Sequence, residues 1–195
     1  MSDPILNIVG ELVALGPLRR DLLPTYQRWI NDFGTARYVS NLPLPMSEET
    51  ELKWFEAATT DQMSPAFTVY ERGSGLPVGT TTLHNVNHCH GTAEWGIMIG
   101  EAVARGKGYG TETARLMLDY AFTALGLSNV MLAVLEVNVA GRRAYEKAGF
   151  REIGSRRQAH AVGRHRCDVI YMDCVSSEFE SPLLHRVFAL DDPRT

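Results

Sequence analysis

The stretch "VARGKGYGTETARLMLDYAF", residues 103–122, places three glycines and two cations in the six positions Arg105 to Gly110, and a periodic apolar pattern starts at once behind them. Ala114, Met117, Leu118, Ala121, Phe122 and Leu125 recur at helical spacing. A glycine-rich loop that opens a helix is an anion site, because unpaired backbone amides point outward and the helix dipole favours negative charge. Two common phosphate loops do not fit. A nucleotide P-loop needs Gly-Lys-Ser/Thr, and here Gly106-Lys107 is followed by Gly108. The dinucleotide fingerprint needs G-x-G-x-x-G, and the spacing here is G-x-G-x-G. Three glycines in a plain turn would cost chain entropy without return.

Outward from the loop, the elements read as follows. "GELVALGPL" (10–18) is a first strand, and 20–32 a helix with Leu22, Leu23, Tyr26, Trp29 and Ile30 on one face. Residues 33–46 form a loop. Ser47 caps a helix over 48–59, with Glu48, Glu49 and Glu51 in its first turns, where the dipole favours acids. "AFTVYE" (66–71), "LPVGTTTLHN" (76–85) and "TAEWGIMIG" (92–100) are strands, the first two joined by the hairpin signal "RGSG". A buried strand (129–137) and a short helix (138–149, with Gly149 just past its end) follow, then strands near 150–157 and 166–175. The expected fold class is α/β (α+β): a single domain over 1–175 with a mixed sheet of six to seven strands flanked by helices. Residues 176–195 form a tail. Its Ser181-Pro182 pair reads as a helix start, and Leu183, Leu184, Val187 and Phe188 as a stripe that packs on its own domain or on a second copy in a homodimer.

Composition bounds the function. Of 195 residues, 45% are apolar and 22% charged, ordinary for one globular domain, and the net charge of −4 argues against a nucleic-acid partner. No apolar run approaches the ~18 residues of a membrane span, and the N-terminus lacks a secretory pattern. Three cysteines without a C-x-x-C pair read as reduced thiols in a cytoplasm. "HNVNHCHG" (84–91) offers His84, His88, Cys89 and His90, but their spacing fits no usual zinc pattern; a polar hairpin turn, with no metal, is expected.

Two motifs carry a resemblance. Arg105, Gly108 and Gly110 match the Arg/Gln-x-x-Gly-x-Gly/Ala pyrophosphate loop of the GNAT superfamily of N-acetyltransferases, between a strand and a helix as that family has it. "EVNVAGRRAYEKAGF" (136–150) resembles its Asn…Tyr-x-Lys-x-Gly-Phe segment, and "WGIMIG…GKGYGTE" with "GRHRCDVIYMDCV" (163–175) is most similar to the RimJ/RimL-like branch. The resemblance spans about residues 9–175 and implies acetyl-CoA as cosubstrate, without metal, and direct acetyl transfer to a primary amine of a small molecule or a protein N-terminus. A non-catalytic acyl-CoA-binding module is the competing class.

The physics of the loop agrees with that implication. Backbone amides of Gly106, Lys107, Gly108, Tyr109, Gly110 and Thr111 can cradle a pyrophosphate, with charge-assisted contacts from Arg105 and Lys107. The resemblance further implies that the main chain of Ile97, Met98 and Ile99 pairs with the pantetheine arm, and that Asn138 contacts that arm. It places Tyr145 by the sulfur as proton donor. Gly141 stands where many relatives have Ser. Glu94 is the candidate base, on the strand face of Gly96 and Met98, with Glu136 in reserve. The acceptor site is expected from 33–46 and the 156–165 turn, whose arginines could also meet an acidic group.

Overall fold

The structure is a computed structural model that describes residues 3–39 and 44–189. Its strands are β1 (Ile8–Val9), β2 (Val13–Pro17), β3 (Ala66–Glu71), β4 (Pro77–Asn87), β5 (Thr92–Ile99), β6 (Asn129–Leu135), β7 (Arg151–Val162) and β8 (His165–Val175). Its helices are α1 (Leu23–Asn31), α2 (Phe33–Ala36), α3 (Glu48–Thr60), α4 (Tyr109–Asp119) and α5 (Val139–Ala148). The strands form one sheet in the order β1-β2-β3-β4-β5-β6-β8-β7. All neighbours are antiparallel except β5 and β6.

The sheet has eight strands where six to seven were expected. The addition is the two-residue β1, too short to leave a periodic pattern. It is held by a device remote in sequence. The Glu112 carboxylate of α4 accepts the backbone amides of Glu11, Leu12 and Val13 at 2.8, 2.7 and 2.6 Å. That clamp fixes the turn between β1 and β2 against the glycine loop.

Strand alternation sends side chains to two cores. Val69 and Leu83 join Met117 and Leu118 of α4, all buried, on one face of the sheet. Tyr70 joins Leu22, Tyr26, Trp29 and Phe55 under α1 and α3 on the other. The expected helix over 20–32 breaks into a 3-10 turn, Arg20–Leu22, and α1, with Pro24 in the first turn of α1, where a missing N–H costs nothing. α2 lies inside the expected loop. Asp32 starts it, accepting from Gly34 N at 3.0 Å and Thr35 Oγ1 at 2.6 Å. Residues 40–43 of that loop lie outside the described residues. The 156–165 stretch is mostly strand rather than turn, since β7 and β8 extend to Val162 and from His165. The ladder is irregular between Arg156 and His160, where Gln158 takes φ 49° and donates its amide to Asp168 Oδ1 at 2.8 Å.

In the tail, a three-residue 3-10 turn, Leu184–Arg186, replaces the expected helix. Leu184 is buried in the main core, while Val187 and Phe188 stay exposed. The anchor is Asp119, fully buried at the end of α4. It accepts from Thr123 Oγ1 (2.8 Å), Ser181 Oγ (2.5 Å), Leu183 N (3.0 Å) and Leu184 N (2.8 Å). Asp119→Ala strands four donors, two of them backbone amides. We expect a loss of about 3 kcal/mol and a fall in Tm of roughly 6–12 °C, read by calorimetry. An unchanged Tm would mean that the tail adds nothing to the fold.

Candidate active site

The parallel seam between β5 and β6 is short. Its pairs are Thr92↔Asn129, Ala93↔Val130 and Glu94↔Met131. Beyond Glu94, β5 stays paired to β4 as far as Ile99↔Gly79, and β6 to β8 as far as Leu135↔Val169, but not to each other. The strands therefore splay. A cleft of about 630 Å³ opens there, walled by Ile97, Met98 and Ile99, by the loop from Arg105 to Thr111, and by Asn138 and Tyr145.

The loop is built to present amides. Gly106 and Gly108 have φ of 73° and 86°, the left-handed region that a side chain strains. Gly108 is the N-cap of α4 and offers no side-chain cap. None of the backbone amides of residues 106–111 donates to a protein acceptor among the described residues. A row of unpaired amides at a helix start, lining a cleft, suits an anion.

The side chains expected to assist behave differently. The Arg105 guanidinium turns inward, to Thr35 Oγ1 at 2.6 Å and more weakly to the Ile99 carbonyl at 3.3 Å, and so ties the loop to α2. Lys107 lies with Nζ 5.9 Å from the centre of the Tyr109 ring, and its side chain is not part of the cleft wall. The Tyr109 hydroxyl donates to Glu71. Backbone rather than side-chain charge thus dominates the loop.

A second cavity of about 340 Å³ lies across the splayed strands, on the α1/α3 face. Its floor is even-numbered: Thr80, Thr82 and His84 of β4 stand opposite Met98, Gly96 and Glu94 of β5. This is the face expected for Glu94, with no bulge between Glu94 and Met98. Its roof comes from α1 and α3, with Tyr26, Glu51 and Trp54. The two cavities share Tyr38, Val39, Ile97, Met98, Asn138 and Tyr145.

Tyr145 stands at that junction on α5. Its ring is edge-on to Trp95 (centroids 5.2 Å, 86°), and Trp95 stacks on Phe150 (5.6 Å, 20°). Burial pushes its pKa up to about 12, so the phenol is protonated at any physiological pH. Its hydroxyl has no hydrogen-bond partner among the described residues, which leaves it free for a ligand. Asn138 Oδ1 accepts from Gly141 N at 3.0 Å and caps α5, which commits that oxygen to the helix. A Cβ at 141 would sit 2.6 Å from Asn138 Nδ2, so glycine there leaves the amide its position.

Glu94 is exposed within the second cavity and accepts from Asn85 Nδ2 at 3.2 Å. Asn85 has φ 52° in a bulge of β4, between the paired residues His84 and Asn87, which turns its side chain to Glu94. Glu136, the reserve base, is drawn away. Its carboxylate accepts from Asp168 N at 2.9 Å and lines neither cavity. His84 to Asn87 belong to β4 rather than to a hairpin turn. Burial pushes the His84 pKa down against the opposing pull of Glu94, which keeps the ring neutral.

Two residues of the second cavity escaped the sequence reading, as did Asn85 beside Glu94. His84 was read as the end of a strand running into a polar turn, and Glu51 only as one of the acids that suit a helix start. Asn85 had only a bulge, invisible in sequence, to reveal it.

Comparisons with known proteins bear on the family and the fold. Residues 13–151 match the family model described as an acetyltransferase (GNAT) domain. Spermidine N(1)-acetyltransferase of Escherichia coli K12 is 32% identical over 138 residues, 71% of this chain and 72% of that one. Human alpha/beta-tubulin-N-acetyltransferase 9 is 24% identical over 162 residues, covering 76% of each. Among solved structures, spermidine N-acetyltransferase from Vibrio cholerae in complex with CoA and spermine superposes with a TM-score of 0.80 at 25% identity, covering 87% of this chain and 98% of that one.

Proposed function

The chain belongs to the GNAT family of acetyltransferases, and from that premise we propose that it moves an acetyl group from acetyl-CoA directly to a primary amine of a small cationic molecule. It is an N-acetyltransferase; the donor, the acceptor and the residue roles are our reading. The observation that carries it is the junction of the two cavities at Tyr145. The cleft with the row of free amides suits the phosphates of the donor. The cavity with Glu94 suits an amine. The reacting atoms then meet beside the phenol.

In this reading a neutral amine attacks the thioester carbonyl, and the C–N bond forms. Glu94 first takes a proton from the bound ammonium to give that neutral amine, and the adduct nitrogen passes its second proton to the tyrosinate once Tyr145 has protonated sulfur. The C–S bond breaks, and Tyr145 gives the departing thiolate a proton. The products are the N-acetyl amine and free coenzyme A. The unpaired edge of β5 is available to the donor's amide-bearing arm. The acyl-CoA-binding module is disfavoured, since Asn138 and Tyr145 are both present and both line the junction of the two cavities. The acceptor of the Vibrio relative, a polyamine, supports a small acceptor over a protein N-terminus. The loop and "GRHRCDVIYMDCV" spacing supports a position near the RimJ/RimL-like branch.

The test is a panel of polyamines, aminoglycosides, amino acids and N-terminal peptides, scored by release of free coenzyme A. Turnover confined to peptides would overturn the small-molecule reading. With the best amine, Glu94→Gln should lower kcat/KM about 10²-fold at neutral pH. The deficit should shrink as pH nears the amine's own pKa, about 10.4 for an alkylamine such as lysine, because neutral amine then needs no base. A pH-independent deficit would remove Glu94 as the base.

A further inference from the structure

Glu51 is the one side chain of the second cavity that local structure does not explain. It is 5% exposed, on α3, and its carboxylate has no hydrogen-bond partner among the described residues. A buried carboxyl without donors is costly, and the side-chain donors Tyr26, Gln27, Trp29 and Asn31 of α1, which packs against α3, are engaged elsewhere. The Tyr26 hydroxyl is shared with Thr68 Oγ1 at 2.5 Å and accepts from Arg19 N. Gln27 Nε2 and Asn31 Nδ2 both donate to the Met46 carbonyl. Trp29 Nε1 donates to Glu101.

No Lys or Arg stands among the cavity's described lining residues. The titratable groups that face it are His84 from β4, Glu94 from β5, Tyr26 from α1, Tyr38 from the segment after α2, and Tyr145 from α5. Trp54 adds an aromatic wall, edge-on to Tyr26 at 5.9 Å. Carboxylate and aromatic faces together attract an alkylammonium, by charge and by the ring quadrupole.

We propose that Glu51 is the distal subsite of the acceptor cavity, reading a second ammonium on an amine whose first nitrogen lies by Glu94, so that the preferred acceptors are diamines and polyamines. This rests on the amine-acceptor reading of the same cavity. Opposite walls hold the two carboxylates, Glu94 on the sheet and Glu51 on the α3 roof, so one elongated dication satisfies both. A monoamine satisfies one.

The proposal has a protonic consequence. Burial pushes the Glu51 pKa up to about 7, so the empty cavity holds a partly protonated carboxyl. An ammonium beside it favours the ionised form, so diamine binding expels a proton. Diamine affinity therefore rises as pH increases through about 7; the monoamine lacks this component.

The experiment titrates 1,5-diaminopentane and 1-aminopentane calorimetrically into the enzyme with coenzyme A, for the parent and for Glu51→Gln. The parent should bind the diamine tighter by about tenfold or more, and in Glu51→Gln the ratio of the two affinities should fall close to unity. A variant that keeps the parental ratio, or a parent with no preference, overturns the proposal. Fold is read separately. Gln removes a buried charge, so Tm at pH 8 should hold or rise; a fall would assign Glu51 a structural role and sink the subsite. Diamine that binds through Glu51 but is never acetylated would sink the transfer reading and leave the subsite standing.

Discussion

Gly110→Val is expected to weaken acetyl-CoA binding by roughly 10²-fold or more while leaving the fold intact. Gly110 is the second residue of α4 and lines the donor cleft. No atom stands within 4 Å of where its Cβ would be, and its φ lies outside the left-handed region. A valine therefore meets no protein and strains no backbone. Its methyls enter the space from which a phosphate approaches the amides of 109–111. Helix propensity slightly favours the change, since Gly is among the poorest helix residues. Gly108 makes a poorer test, because φ 86° and the nearby Leu12 mix strain with occlusion. Calorimetry showing affinity within threefold of the parent, at unchanged Tm, would displace the phosphate from this loop.

Tyr145→Phe should lower kcat by roughly 10²-fold, the usual scale for a general acid, with acetyl-CoA affinity within a few-fold. The structure sharpens the chemistry. A pKa of about 12 makes this phenol a much weaker acid than a thiol, near 8.5 in water. Complete transfer to a free thiolate would be uphill by roughly 5 kcal/mol. In the proposed mechanism the phenol would therefore act while the C–S bond is still breaking, with its proton moving as charge builds on sulfur. The pH–rate profile should accordingly show no tyrosine ionisation through pH 10. The hydroxyl has no internal partner, so its removal should not lower Tm. Near-parental turnover in an assay limited by chemistry would take Tyr145 out of the mechanism.

The legible parts of this protein were the local ones. The glycine loop and the Asn138–Tyr145 spacing each lie within one turn-and-helix unit, where period and capping chemistry act over a few residues. The face of Glu94 followed from alternation alone. What failed needed the third dimension. β1 exists because Glu112, about a hundred residues away, gathers three amides. Arg105 looked like a phosphate ligand until α2 offered it Thr35. Glu51 sat among glutamates that suit a helix N-terminus, and only the crossing of α1 over α3 buries it. Glu136 stood in reserve behind Glu94, and in the structure β8 engages it through the Asp168 amide.

The short seam between β5 and β6 has a mechanical meaning. One antiparallel block runs from β1 to β5, the other comprises β6 to β8, and three residue pairs stitch them. Pulled apart across the strands, such a sheet tears first at that stitch, because each block is laced along far longer ladders. A molecule wedged between the splayed ends, bonded to both blocks, acts as a keystone. Under the proposed function the donor would carry load there that the backbone does not. Side chains reinforce that stitch, since Val69 and Leu83 of the first block share one core with Val130 and Met172 of the second.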